Sequence, residues 1–168
     1  MDELLELALC LKAAQRGMER AMNDALEPVG VTAAQADAIT VIGQAEPLSL
    51  KSLGDLLIAE AGHPSRLVDR LVQAGWVERG GSADDRRRIV LSLTPEGRQL
   101  RKRIEAARQD VLDLARQLLG ERDIEPTLRL LQEMLVHTPY KELLYRRREL
   151  FEGSRPRRPA ARAANERG

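Results

Sequence analysis

The chain has 168 residues, a formal net charge of +1, 43% hydrophobic residues and only 2% aromatic residues. This suits one compact, helix-rich unit or two small lobes that share a core. A single cysteine excludes an internal disulfide, and one cysteine with two histidines argues against a zinc site within one chain. We find no secretion signal and no apolar run near the ~20 residues that span a bilayer, so we expect a cytoplasmic protein without membrane contact.

The near-neutral total charge hides an uneven distribution. Residues 1–48 carry 3 basic and 8 acidic side chains, a net charge of −5. Residues 49–103 carry 11 and 7, a net charge of +4, and residues 153–168 carry 5 and 1, again +4. Because a concentrated basic patch attracts phosphate even on a nearly neutral protein, the middle segment and the tail make nucleic acid a candidate partner.

Hydrophobic periodicity and capping residues predict three helices in the first third of the chain. Apolar residues at helical spacing predict a first helix over residues 4–26. Thr32 and Gln35 have the spacing of a capping box, which predicts a second helix over residues 32–44. Ser49 can cap a short third helix.

A fourth helix and a hairpin follow. Pro64 suits the first turn of a helix, which Gly75 would end. The helix separates into two faces, with Leu67, Val68 and Leu71 on one side and Ser65, Arg66, Asp69, Arg70 and Gln73 on the other. A two-stranded β-wing is predicted next, with strands over residues 76–79 and 88–93 and a hairpin tip over residues 80–85.

Further helices are predicted for the C-terminal half of the chain. Thr94 and Pro95 have the order of an N-cap and a first helical residue, and a long helix should run from them to Gly120. Its apolar residues follow a 4-3-4-3-4 spacing that suits packing on another helix, namely Leu100, Ile104, Ala107, Val111, Leu114 and Leu118. Two more helices are predicted over residues 124–136 and 141–151, the first with Leu128, Leu131 and Leu135 inside.

Helices two to four with the hairpin match a winged helix-turn-helix, in which the fourth helix reads DNA. Such a helix must present donor-rich side chains away from its core, and Ser65, Arg66 and Arg70 meet that condition. An arginine can grip guanine O6 and N7 through two hydrogen bonds, worth about 1–3 kcal/mol of base discrimination. The alternative is that Arg66 and Arg70 are solvated charges in local salt bridges with Asp69. The adjacent wing favours DNA.

The expected hairpin tip has an unusual run of charges. Asp84 and Asp85 stand beside three consecutive arginines, Arg86, Arg87 and Arg88. An arginine in a narrow minor groove gains from its negative potential, and a neighbouring carboxylate can hold the guanidinium in a fixed pose. The alternative is a solubilising hairpin that blocks pairing of edge strands.

An Asp-x-Arg wing followed by Leu-Thr-x-x-Gly is matched by Asp85, Arg87, Leu93, Thr94 and Gly97. With SRLVDRL and GWVER upstream, the chain resembles the MarR family of bacterial transcriptional regulators over about residues 4–137. The resemblance implies a homodimer with interleaved first and last helices, whose two winged lobes bind a pseudo-palindromic operator. Most such proteins repress transcription and release DNA when a small, often phenolic, ligand binds between the lobes. The resemblance also implies that Asp85 and Arg87 position the wing and that an arginine there enters the minor groove.

We therefore expect a mainly α fold with a small two-stranded β-wing, that is, a winged helix-turn-helix with a helical dimerisation lobe. The DNA-binding lobe would cover residues 31–94, the dimerisation lobe residues 1–30 and 95–152, and a disordered basic tail residues 153–168. The expected partners are double-stranded DNA, a second copy of the chain and a small-molecule effector. No cofactor, metal or catalytic residue is expected.

The candidate DNA-contacting residues are Ser49, Lys51, Gly62, His63, Ser65, Arg66, Arg70, Asp85, Arg86, Arg87 and Arg88. The chain departs from the family at Gly62 and His63, which replace the Ser/Thr-rich start common to these recognition helices. His63 could read a base or cap the helix. The arginines of the long tail could add DNA contacts or form a solvated end.

Two alternatives stay open beside a ligand-released repressor. One branch of the family senses organic peroxides through a cysteine near the position of Cys10, and tyrosines from other helices hold its thiolate. This chain departs from that branch, because Ala33 stands near the start of the second helix and both tyrosines, Tyr140 and Tyr145, are C-terminal. A buried cysteine in an apolar helix is more often an inert packing residue. The other alternative is a helical adaptor or dimerisation protein without specific DNA binding. No motif supports an enzyme.

Overall fold

The computed structural model describes residues 2–58, 64–81 and 89–152. Within them lie seven α-helices: α1 (Glu3–Leu26), α2 (Ala33–Ala45), α3 (Leu50–Gly54), α4 (Pro64–Gln73), α5 (Pro95–Leu119), α6 (Glu125–Met134) and α7 (Tyr140–Glu152). The same ranges contain three strands: β1 (Leu48–Ser49), β2 (Val77–Gly81) and β3 (Ile89–Leu93). The predicted helices are confirmed to within a few residues at their ends.

Side-chain caps explain where the helices begin. Thr32 and Gln35 form the predicted capping box of α2, since each side chain accepts a hydrogen bond from the other residue's backbone N–H. Ser49 caps α3 by accepting from the N–H of Ser52 at 3.0 Å. Thr94 caps α5 by accepting from the N–H of Gly97 at 3.0 Å. Each contact satisfies an N–H that a helix leaves without an intrahelical partner.

The sheet has one strand more than predicted. β1, β3 and β2 pair in that order as a three-stranded antiparallel sheet, with Leu48 opposite Leu91 and Val77 opposite Leu93. The two predicted wing strands, β2 and β3, are confirmed, and β1 joins them as an additional strand. Sequence patterning did not predict β1, because two residues between a proline and a helix are too few to show a period of two. β2 also continues to Gly81, where a hairpin tip was expected from Gly80. Residues 82–88 lie outside the described ranges.

The core lies where α2 meets α4, the sheet and the first half of α5. Its fully buried side chains come from six elements and from the stretch after α3: Leu26, Ile39, Val41, Ile42, Leu53, Leu57, Leu67, Val68, Leu71, Leu91, Leu93 and Ile104. Burial of these side chains, at about 25 cal/mol per Å² of apolar surface, holds α4 and the wing to α2 and α5. In the described ranges no helix is both long and apolar enough to cross a membrane.

The outer helices leave large apolar side chains uncovered in a single chain. Leu4 of α1 is 76% exposed, and Leu114 and Leu118 of the predicted α5 seam are 53% and 73% exposed. Leu128, predicted to lie inside, is 40% exposed, and α6 has no buried residue. The prediction of an interior position was therefore wrong for the isolated chain, since helical spacing identifies an apolar face but not what covers it.

Candidate nucleic-acid interface

α4 has a sharp division between its two faces. Leu67, Val68 and Leu71 are at most 1% exposed, and they dock the helix on the core. Ser65, Arg66 and Arg70 are exposed on the other side. The helix thus presents a hydroxyl and two guanidinium groups to solvent on a rigid base, which is the arrangement that a groove-reading helix requires.

Asp69 connects α4 to the wing. Its carboxylate accepts from Nη2 of Arg79 in β2 at 2.6 Å. The local salt bridges considered for Asp69 with Arg66 or Arg70 are not formed within the described part of the chain, where Asp69 pairs with β2 instead. The pair is exposed, and such pairs contribute about 0–1 kcal/mol. Its effect is therefore to orient the two elements more than to stabilise the fold.

The Leu-Thr-x-x-Gly motif forms the joint between the end of α4 and the start of α5. The hydroxyl of Thr94 donates to the carbonyl oxygen of Gly75 at 2.6 Å, and the N–H of Thr94 donates to the carbonyl oxygen of Trp76 at 3.1 Å. Gly75 has φ +75°, a left-handed conformation that favours glycine after a helix. A Cβ built on Gly97 would overlap the carbonyl oxygen of Trp76. Only glycine therefore fits this joint without a shift of the backbone.

Two arginines of α5 bind the C-terminal end of α2, a contact that sequence reasoning missed. Arg101 donates to the carbonyl oxygen of Gly43, and Arg98 pairs with Glu46 at 3.0 Å. Glu46 in turn accepts from the N–H of Leu93 at 2.7 Å. Guanidinium groups are favourable here, because the last carbonyls of a helix lack partners and its C-terminus carries partial negative charge. The two arginines lie three residues apart beside the apolar seam of α5, and this spacing was the sequence signal that could have predicted their contact with α2.

Asp37 of α2 receives two guanidinium groups. Arg147 of α7 contacts both carboxylate oxygens, at 2.7 and 2.8 Å, and Arg108 of α5 lies 3.5 Å from one of them. Arg108 also donates to the hydroxyl of Thr40 at 2.8 Å. Burial lowers the pKa of Arg108 from its ordinary value, while the charge of Asp37 opposes that shift. Asp37 is thus the shared anionic partner of both arginines, and the charge of Glu105 also acts on Arg108.

A cleft of about 680 Å³ opens beside this cluster. It lies between α1 and the N-terminal end of α2, and its lining includes Glu19, Met22, Asn23, Ala33, Ala34, Asp37, Leu57, Arg108 and Arg147. Apolar walls with a few convergent polar groups are typical of small-molecule sites, and the volume falls within their usual range. Two arginines and two carboxylates, Glu19 and Asp37, line the cleft, so its charged side chains balance.

The predicted DNA-contacting residues fall into three groups. Ser65, Arg66 and Arg70 share the exposed face of α4, whereas the half-buried Ser49 is engaged in capping α3, and Lys51 is exposed in that helix. The others lie outside the described residues: Gly62, His63, Asp85, Arg86, Arg87 and Arg88. The structure therefore brings together the α4 set.

Cys10 is exposed on α1. The expectation of a buried packing cysteine is wrong for the isolated chain, because the N-terminal half of α1 extends beyond the core with its apolar residues uncovered.

The winged helix DNA-binding domain family matches residues 31–97. The chain is 31% identical over 96 residues to the multiple antibiotic resistance protein MarR of Escherichia coli, across 57% of this chain and 67% of that protein. This chain belongs to the MarR family. A structure of a cysteine-to-serine variant of E. coli MarR complexed with operator DNA superposes with a TM-score of 0.66 at 26% identity, covering 80% of this chain and 96% of that one.

A second relative is named for a different response. The organic hydroperoxide resistance transcriptional regulator of Bacillus subtilis is 29% identical over 115 residues, across 67% of this chain and 78% of that protein. The B. subtilis relative is a transcriptional regulator by name, and the E. coli MarR variant was crystallised with operator DNA. The MarR-family chain described here is accordingly a DNA-binding transcriptional regulator, and the exposed face of α4 is its candidate DNA-reading surface.

Proposed function

We propose that this MarR-family protein is a homodimeric repressor that binds a pseudo-palindromic operator and leaves it when a small ligand binds. The observation that carries the proposal is the exposed face of α4, where Ser65, Arg66 and Arg70 project from a helix whose opposite face is at most 1% exposed. The protein acts by binding rather than catalysis, and it acts in the cytoplasm, where an operator is found.

Each part of the winged lobe has a separate role in this proposal. Ser65, Arg66 and Arg70 enter the major groove, where arginine can read guanine. Arg87, held by Asp85, enters the minor groove, with Arg86 and Arg88 beside it. Gly62 and His63 stand immediately before α4 in the sequence and belong to the same set of DNA contacts. Ser49 and Lys51 lie near the phosphates through the start of α3. The structural relative complexed with operator DNA supports this arrangement by its fold.

The dimer would form through residues 1–30 and 95–152, while residues 31–94 carry the DNA-binding elements and residues 153–168 form a basic tail. Support comes from the exposed apolar side chains of α1, α5 and α6, which include Leu4, Leu9, Leu114, Leu118 and Leu130. Isolated exposed leucines are ordinary, but clusters on three helices mark an interaction surface.

The effector site that we propose is the cleft between α1 and α2. Arg108 and Arg147 line it together with Asp37 and Glu19, and their guanidinium groups would bind the carboxylate of a small organic acid, such as a phenolic carboxylate. The first residues of α2, Ala33 and Ala34, lie at a helix end that also favours an anion. Because the cleft touches both α1 and α2, its occupant would alter how the lobes meet.

The test of DNA binding uses a duplex selected by the wild-type protein from a random-sequence library. We expect Arg87→Ala to weaken binding of that duplex strongly while the dimer stays folded. An unchanged affinity in a gel-shift titration at fixed salt would contradict the wing's role. Failure of the wild type to select any sequence, with no salt-dependent retention on heparin, would instead favour a helical adaptor.

The test of the effector site uses salicylate as the probe. We expect it to release the wild-type protein from the selected duplex and to release Arg108→Met at a higher concentration. Equal release of both proteins would place the anion elsewhere.

A thiol response is the second candidate, and the exposure of Cys10 on α1 is the observation that favours it. An exposed thiolate is open to oxidants, whereas a buried one is inert. If the candidate holds, peroxide abolishes DNA binding by the wild type and spares Cys10→Ser. Loss of binding in both proteins would exclude it.

A further inference from the structure

Arg147 fastens the C-terminal helix to the helix-turn-helix. Besides its two contacts with Asp37, its Nη1 donates to the carbonyl oxygen of Leu56 at 3.1 Å. The side chain is only 16% exposed, and its guanidinium lies over the ring of Phe151, 5.7 Å from the centroid. A bidentate arginine–carboxylate pair fixes the orientation of the two groups as well as their distance. One guanidinium therefore holds α2, α7 and the stretch after α3 together.

Other contacts of α7 reach the same two elements. Gln44, near the C-terminal end of α2, donates through Nε2 to the carbonyl oxygen of Leu150 at 3.3 Å. Arg146 lies 3.9 Å from Asp55, the residue that ends α3. The side chain of Leu150 is partly buried against the core. α7 thus contacts both halves of α2, at Asp37 and at Gln44, and the residue that follows α3.

We infer that α7 is a clamp on the helix-turn-helix and that Arg147 is a positioning residue for DNA binding. Leu56 closely follows α3, and α3 lies against the start of α4, since a Cβ built on Gly54 would lie 3.3 Å from the ring of Pro64. Holding the carbonyl group of Leu56 to Asp37 through one guanidinium therefore positions the end of α3, and α4 against it, relative to α2. Because Arg147 is nearly buried, it acts on DNA binding through this positioning and not through contact with DNA. The inference rests on DNA binding through α4.

The clamp can be opened without leaving a buried charge alone. Arg147→Met keeps most of the apolar stem of the side chain. Arg108 stays near Asp37, 3.5 Å away in the intact protein, so the carboxylate keeps a cation. The variant is therefore expected to fold. Arg148→Met is the matched control, since Arg148 is 57% exposed and pairs at 3.6 Å with Glu152 of its own helix.

The first measurement is the affinity of full-length variants for the duplex that the wild type selects, by fluorescence anisotropy at several salt concentrations. We expect Arg147→Met to lose roughly tenfold in affinity, the size of effect that residues away from a ligand can exert. Asp37→Asn should lose a similar factor, the double variant no more than either single variant, and Arg147→Lys less than Arg147→Met. Arg148→Met should match the wild type. The salt dependence should not change, because no phosphate contact is removed.

The second measurement, hydrogen exchange without DNA, does not depend on the proposed function. Arg147→Met should speed amide exchange over residues 50–57 and 64–73 and leave residues 98–110 unchanged. Wild-type affinity and exchange in Arg147→Met would overturn the clamp, and so would a fall of about one in the salt slope, which would make Arg147 a phosphate contact. If Arg66→Ala also binds as the wild type does, DNA reading by α4 fails, while the exchange data still decide whether α7 holds it.

Discussion

The α-carbon of Gly97 packs directly against the carbonyl group of Trp76, so that any side chain at position 97 would overlap a backbone oxygen. Trp76 follows α4, the proposed recognition helix, and Gly97 lies in the first turn of α5. The hydroxyl of Thr94 closes the joint by bonding both Gly75 and Gly97. The residue pair Gly97 and Trp76 thus brings α5 and the stretch after α4 together backbone to backbone. Because the two backbones are in direct contact there, we expect a movement of α5 to be passed to the end of α4 and to the wing.

Gly97→Ala should destabilise the protein by about 1–3 kcal/mol or more, since the added methyl group meets backbone that can yield only by moving α5. Urea unfolding followed by circular dichroism measures the change. The control is Gly17→Ala in α1, where a Cβ meets nothing within 4 Å. That variant should be as stable as the wild type or gain up to about 1 kcal/mol, because alanine is the better helix former. Equal stability of both variants would show that the joint can relax.

Arg66→Ala should weaken binding of the selected duplex by about 1–3 kcal/mol, roughly tenfold to a hundredfold, and affect random duplexes much less. The reason is that a base contact is lost only where the right base is present. Anisotropy titrations of both duplexes at one salt concentration make the comparison. Arg129→Ala serves as the control, because Arg129 is an exposed residue of α6 paired at 3.5 Å with Glu125. Equal losses on the two duplexes would mean that Arg66 contacts only phosphate.

Leu118→Glu should convert the dimer to monomer at micromolar concentration. Leu118 is 73% exposed in the single chain, at the end of the apolar seam of α5, and a carboxylate buried there on association would lack a partner. Sedimentation equilibrium gives the mass. Gln117→Glu adds the same charge at the adjacent, exposed position and should remain dimeric. An unchanged mass for Leu118→Glu would place the dimer contact elsewhere.

Arg101→Met should cost about 1.5–3 kcal/mol of unfolding free energy. It removes charged hydrogen bonds to the carbonyl oxygen of Gly43 and to Gln44, which lies 2.8 Å away. Lys102→Met, at the neighbouring exposed position of α5, should change stability by less than about 0.5 kcal/mol. Urea unfolding of the two variants compares them directly. Similar values would mean that the end of α2 is satisfied by water once Arg101 is gone.

Local signals in the sequence predicted most of the elements correctly. Thr32 with Gln35 and Thr94 with Pro95 start their helices through contacts within three residues, and the alternation of Leu91 and Leu93 follows from the period of a strand. The division of α4 into an apolar and a basic face is equally local, so the candidate DNA-reading residues of that helix could be named from spacing alone.

Contacts between residues that are far apart in the sequence could be decided only by the folded structure. The third strand exists because Leu48 meets Leu91, and the clamp exists because Arg147 meets Asp37, 110 residues away. Neither pairing leaves a period or a cap in the sequence, since a two-residue strand has no pattern and an arginine on a polar helix looks the same whether it faces water or a carboxylate. The sequence by itself determined which faces are apolar and which are basic. Tertiary structure decided what those faces meet, because contacts between distant residues depend on how the helices pack and not on their local preferences.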